Sequence, residues 1–130
     1  MRLTTGHIVL NVGDVDITTA RYQRALGMER EDLGPSSRTS LKLGGQKINL
    51  RPHDRDACAW RTGATREVDA GDVCFITTVP PDGAVAHLHG CGVAIPREPI
   101  DRVRALRTIE SAYCRDPDGN MVETAFYQSH

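Results

Sequence analysis

A strand, a capped helix and a glycine recur at one spacing in two places, and that repeat constrains the fold more than any other feature of the chain. His7 to Gly27 and Asp72 to Gly92 both span an interval of 20 residues. The first opens on the apolar, β-branched run 7–11. Asp14 or Asp16 can then cap a helix through Ala20, Tyr22, Ala25 and Leu26, and Gly27 is a favourable residue just past its end. The second opens on D-V-C-F-I-T, starts its helix at Pro80-Pro81-Asp82 and stops it at Cys91-Gly92. Short strands are expected next, over 28–32 in one half and 93–98 in the other. A charged loop over 99–107 follows the second. Each half closes with a hairpin: 38–43 with 46–51 around Gly44-Gly45, and 109–115 with 121–127 around the turn D-P-D-G-N. G-Q-K-I-N-L of the first hairpin then falls on G-N-M-V-E-T of the second. The pattern predicts an α+β chain of two fused β-α-β-β-β modules. Its 130 residues fit one domain: module one about 4–52, a linker about 53–71 carrying the lone Trp60, and module two about 72–128.

Side chains alternate along a strand, so each module has a core face and an opposite one. Ile8, Leu10 and Val12 share the face expected to pack under the first helix, with Leu41, Leu43, Ile48 and Leu50 as its hairpin counterparts. His7, Ser40, Lys42, Lys47, Asn49 and Arg51 point the other way, making a polar, basic surface. In the last hairpin Val122 belongs to the core, which leaves Tyr113, Met121 and Glu123 on the second face. If Arg115 pairs with Met121, Tyr113 lies opposite Glu123. The repeat sets His7 over Asp72 and Asn49 over Glu123, all four off the core, and a curling sheet would gather them in one concavity. Each has a plainer reading: a solvated His7, a turn residue at Asp72, an Asn49 that satisfies backbone groups. Glu123 is the anomaly, because glutamate inside an apolar strand is seldom buried without a partner. Cys74 reads as core or pocket lining rather than a nucleophile.

Composition excludes whole classes of partner. A net charge of −1 and an aromatic share of 5% provide neither a footprint for a phosphate backbone nor a platform for stacked bases, so no nucleic acid is expected. No run is long enough for a membrane span, and the N-terminus shows no apolar leader. Cys58, Cys74, Cys91 and Cys114 form no C-x-x-C pair, which points to reduced thiols and a cytoplasmic protein.

G-H-I-V-L-N-V-G-D-V, Y-Q-R-A-L-G-M and the closing Y-C-R-D-P-D-G-N-M-V-E resemble the vicinal-oxygen-chelate superfamily, the glyoxalase/bleomycin-resistance/extradiol-dioxygenase group. G-G-Q-K-I-N-L resembles in particular its small single-domain glyoxalase-like proteins. The resemblance implies a cup-shaped, mostly antiparallel eight-stranded sheet with helices outside, holding a divalent metal, and commonly a homodimer. His7 and Glu123 match ligand positions. Asp72 stands where a second histidine is usual, Asn49 where glyoxalase I proper has a glutamate, and Arg51 where the subgroup often has a histidine. His53 is a stand-in ligand if the strand continues past Pro52. A donor set of His7, Asp72 and Glu123 is rich in oxygen and suits Mn, Ni, Fe or Mg better than tight zinc binding.

Through residue 52 the chain carries eight Lys/Arg against five Asp/Glu, a basic wall suited to a small anionic substrate. The expected activity is glyoxalase-like lyase or isomerase chemistry, in which the metal stabilises an enolate or alkoxide. Glu123 serves there as ligand and proton carrier, Tyr113 as a hydrogen-bond donor, and Arg51, Lys47 and Asn49 as substrate contacts. The alternative is a non-catalytic, drug-sequestering protein of the same fold. A ring-cleaving dioxygenase fits less well, since two histidines normally hold its iron.

Overall fold

In each half of the chain the first strand lies parallel to the last, and the helix between them makes the crossover that parallel pairing demands. A computed structural model describes the chain except for residues 35–37, 56–59, 66, 70, 96–99, 105, 106, 129 and 130; at 100–104, 107 and 108 it describes the backbone alone. The chain divides into two compact units, Met1–Val68 and Asp69–His130.

The first unit runs β1 (His7–Val12), α1 (Val15–Leu26), β2 (Glu29–Leu33), β3 (Arg38–Leu43) and β4 (Gln46–Pro52), in sheet order β1-β4-β3-β2. Asp14 caps α1, its Oδ1 accepting from the Ile17 amide at 2.9 Å; such a cap contributes about 1 kcal/mol. Gly27 ends the helix at φ 68°, the left-handed region that glycine enters without a Cβ clash. Tyr22 and Ala25 of α1 are buried, as are Leu10, Val12, Leu41, Ile48 and Leu50. Ile8 departs from the expected core face: at the open end of an edge strand it remains 49% exposed.

The second unit repeats the order with β5 (Asp72–Ile76), α2 (Pro81–Gly90), β6 (Ile100–Arg104), β7 (Arg107–Arg115) and β8 (Met121–Tyr127), arranged β5-β8-β7-β6. Its pairing repeats as well. His7 faces Lys47 and Val9 faces Asn49 in the first unit; Asp72 faces Met121 and Cys74 faces Glu123 in the second. Asn49 and Glu123 thus hold matching places two residues beyond the opening pair. Among the described residues, eight strands hydrogen-bond as two mixed sheets of four, where a single eight-stranded sheet was expected.

One strand is displaced from its expected place. Residues 93–95 carry no strand, 96–98 lie outside the described residues, and β6 occupies much of the span expected to be a charged loop. Its sequence I-D-R-V-R is tolerable because β6 is an edge strand, where charges block unwanted pairing.

The D-P-D-G-N turn sets the register of the second sheet. Buried Asp116 accepts from the amides of Asp118 and Asn120 at 2.9 Å each, and from Asn120 Nδ2 at 2.8 Å. Asn120 Oδ1 in turn accepts from the Gly71 amide at 2.8 Å, and the Met121 amide donates to the Gly71 carbonyl at 3.0 Å. The turn therefore grips the residue before β5 and fixes Asp72 opposite Met121. Glycine is required at 119: φ is 92°, and a Cβ there would meet Asp69 Oδ1 at 2.8 Å. Asp116→Ala removes a charged acceptor of three hydrogen bonds, and urea unfolding should show a loss of about 3 kcal/mol. A change within about 0.5 kcal/mol, the usual size for a surface substitution, would remove this turn from the account.

Candidate functional site

On the face of the first sheet away from its core, the side chains form cross-strand rows. His7, Lys47, Lys42 and Glu29 make one row in strand register; Val9, Asn49, Ser40 and Glu31 make the next. Ser40 Oγ donates to Asn49 Oδ1 at 2.7 Å. Glu31 reaches across β3, its Oε1 3.0 Å from Lys47 Nζ and its Oε2 3.2 Å from Lys42 Nζ. The Lys47 hydrogen bond first, then that of Lys42, holds the Glu31 carboxyl below the usual carboxylate range. Lys47 is therefore on the predicted surface but bridged to a carboxylate. His7 is exposed.

Arg51 requires a correction. Its surroundings leave it 0% exposed. Nε donates to the Trp60 carbonyl at 3.2 Å, Nη1 to Asn11 Oδ1 at 3.2 Å and to the Pro52 carbonyl at 3.3 Å, and Nη2 to the Arg55 carbonyl. Its donors hold the segment after β4 in place, so they are already used and do not meet a substrate. Trp60 is buried too, with the Arg38 guanidinium 4.3 Å from its ring centroid, a cation–π contact. Arg55 and Trp60 of the expected linker are thus tied to the first unit. His53 does not extend β4: it is exposed in the turn that follows the strand.

In the second unit the face away from α2 carries Asp72, Cys74, Ser111, Tyr113 and Glu123. Tyr113 pairs with Glu123 and Arg115 with Met121, as the alternation predicts. Glu123 is 5% exposed and accepts a 2.6 Å hydrogen bond from Oγ of the fully buried Ser111. Sequence reasoning missed Ser111, although counting back from the Tyr113–Glu123 pair reaches it diagonally across the hairpin. It missed the Glu31 bridge too, whose signal was the alternation E-R-E facing two lysines. Asp72 is exposed, and so is Cys74, which is neither core nor paired in a disulfide.

Among the described residues, no three His, Cys, Asp or Glu side chains gather closely enough to hold a metal. The donors within the second unit are nevertheless of a suitable kind. Glu123 lies diagonally from Asp72 on neighbouring parallel strands, and ligating carboxylates are characteristically oriented by a second hydrogen bond such as that from Ser111. In the first unit the equivalent strand, β1, carries the exposed imidazole of His7.

Two β-α-β-β-β units with polar rows on the face away from the core define a paired-module fold, and the comparisons identify its class. Residues 4–124 match the Glyoxalase/Bleomycin resistance protein/Dioxygenase superfamily, and the chain belongs to it. It is 34% identical over 122 residues to the virulence protein STM3117 of Salmonella typhimurium, covering 93% of this chain and 82% of that protein. The crystal structure of STM3117 aligns with a TM-score of 0.88 over 98% of this chain and 99% of that one. An integron cassette protein from the mobile metagenome of V. cholerae, VCH_CASS1, is 36% identical with a TM-score of 0.88, covering 98% of both chains. The glyoxalase domain-containing protein RDO1 of Mycosarcoma maydis is 34% identical over 122 residues, 94% of this chain and 67% of that protein.

The burial of Arg51 generates a test. Arg51→Ala leaves several carbonyls without donors, and since hydrogen bonds to charged groups contribute about 1.5–3 kcal/mol each, urea unfolding should show a loss of at least about 3 kcal/mol. Arg51→Lys should not restore it, because one ammonium cannot span carbonyls from Pro52 to Trp60. Unchanged stability in Arg51→Ala would return Arg51 to the substrate surface.

Proposed function

We propose that this chain is a metal-dependent enzyme of glyoxalase type, acting as a homodimer on a small anionic molecule by lyase or isomerase chemistry. Its ligands in this reading are His7, Asp72 and Glu123. The observation that carries the reading is the Ser111–Glu123 contact. A buried carboxylate off the core face serves packing poorly, and burial of an ionised group is costly unless something holds it. The 2.6 Å hydrogen bond from Ser111 orients the carboxylate through one oxygen, Oε2. Family membership supports the same choice, because Glu123 lies within the matched residues 4–124.

A bound divalent ion would supply Lewis-acid stabilisation of a developing enolate or alkoxide. Glu123, oriented by Ser111, accepts and returns a substrate proton. Tyr113, the cross-strand partner of Glu123, orients the substrate through its hydroxyl in this reading. Asn49 and Lys47 of the first unit's polar face bind the remaining oxygens.

A second reading, a non-catalytic binding protein of the same fold, is favoured by one observation. The place in the first unit that matches Glu123 holds a neutral Asn49 already bonded to Ser40, so of the three proposed ligands that unit supplies only His7.

Calorimetric titration of chelator-treated protein with Mn²⁺ or Ni²⁺ separates the two. The enzyme reading predicts submillimolar affinity, lost in His7→Ala and in Glu123→Gln, which keeps the Ser111 hydrogen bond and hence the fold. Ser111→Ala should weaken binding about 10–100-fold, as loss of a ligand's orienting partner does. Affinity should fall as acid protonates the histidine. Wild-type protein that binds neither ion below millimolar concentration would overturn the enzyme reading in favour of the binding protein.

A further inference from the structure

Lys42 and Lys47 lie directly opposite one another on β3 and β4, on the face that also carries His7. Like charges in direct cross-strand register repel and destabilise a sheet. Here the repulsion is relieved by one carboxylate from a third strand. Glu31 gives one oxygen to each lysine, Oε1 to Lys47 at 3.0 Å and Oε2 to Lys42 at 3.2 Å. The two ammonium groups are therefore spaced to take the two oxygens of a single anion. None of the three side chains is sealed from solvent, with 40% of Lys42, 39% of Lys47 and 27% of Glu31 exposed.

We propose that Lys42 and Lys47 form a binding subsite for a carboxylate or phosphoryl group of the substrate, which Glu31 fills with its own carboxylate until the ligand displaces it. As a substrate subsite this rests on the reading of the His7 face as the metal-bearing one. It narrows the substrate class to molecules that carry, besides their chelating oxygens, a separate anionic group. Lys47 is the strand neighbour of His7, and strands lie about 5 Å apart; Lys42 lies one strand further. The anionic group is thus set about 5–10 Å from the oxygens that His7's ligand would hold. A free phosphate and a substrate carboxylate share this chemistry. The alternative is that the triad is only a surface ion pair, a type that contributes little.

Glu31→Gln separates these, because it removes the internal competitor and keeps both lysines and the side-chain length. The probe is inorganic phosphate, titrated into chelator-treated protein at low ionic strength and followed by amide chemical shifts. Glu31→Gln should bind phosphate about fivefold or more tightly than wild type, the size expected for losing one competing ion-pair partner. The shifts should centre on Lys42 and Lys47. Adding Lys42→Gln or Lys47→Gln to that variant should abolish the gain. Glu67→Gln makes the same charge change on the exposed segment after β4 and should gain nothing. Acetate should compete with phosphate if the site takes carboxylates; failure to compete restricts it to phosphoryl groups. The proposal is overturned if Glu31→Gln binds no more tightly than wild type, if Glu67→Gln gains equally, or if the gain survives loss of either lysine. Because no metal is present, this result stands whichever way the Mn²⁺ titration falls.

Discussion

The parallel pairing of each unit's first and last strands is the constraint from which the rest of the structure follows. Parallel neighbours cannot be joined by a tight turn, so each unit must send its chain across one face, and the helix that does so commits that face to the core. Polar side chains are left to the other face. Register then decides which residues appear there: His7 and Val9 beside Lys47 and Asn49, Asp72 and Cys74 beside Met121 and Glu123. A slip by one residue would turn Glu123 into the core and Val122 out of it. In the second unit the slip is prevented by Asp116 and Asn120, which tie the start of β8 to Gly71.

The two units present equivalent faces with different contents. At matching places, the first unit has Asn49 bonded to a serine from the adjacent strand and the second has Glu123 bonded to Ser111. Both are polar groups paired with a hydroxyl, but only one is a carboxylate. The first face carries Lys42 and Lys47 around Glu31, and the second carries Asp72 and Glu123. This division follows the charge of the chain, net +3 through residue 52 and net −4 beyond.

Much of this was legible in the sequence where information is local. Strand alternation identified the faces of His7, Asn49 and Glu123, the cap at Asp14 and the stop at Gly27 marked α1, and the hairpin turn gave the Tyr113–Glu123 pair. What escaped was non-local or lay at edges. Arg51 reads as a surface cation by alternation, because nothing in the spacing reveals that the chain returns nine residues later to place Trp60's carbonyl on its guanidinium. For β6, an apolar V-A-I outweighed the charged I-D-R-V-R that the sheet edge accepts. The rule that apolar residues make strands serves central positions better than edges. Ile8 shows the converse, an apolar residue on the right parity whose position at a strand end leaves it half exposed.

The central proposal is that His7 of one unit and Glu123 of the other serve a single divalent ion. Paramagnetic broadening by Mn²⁺ tests it most directly, since broadening falls off steeply with distance and reports on every amide at once. At substoichiometric Mn²⁺, the account predicts that amides around His7 and Lys47 and those around Asp72, Ser111 and Glu123 broaden together, and that EDTA restores them. Broadening confined to one of these groups, or centred elsewhere, such as on His53 and Asp54, would contradict it.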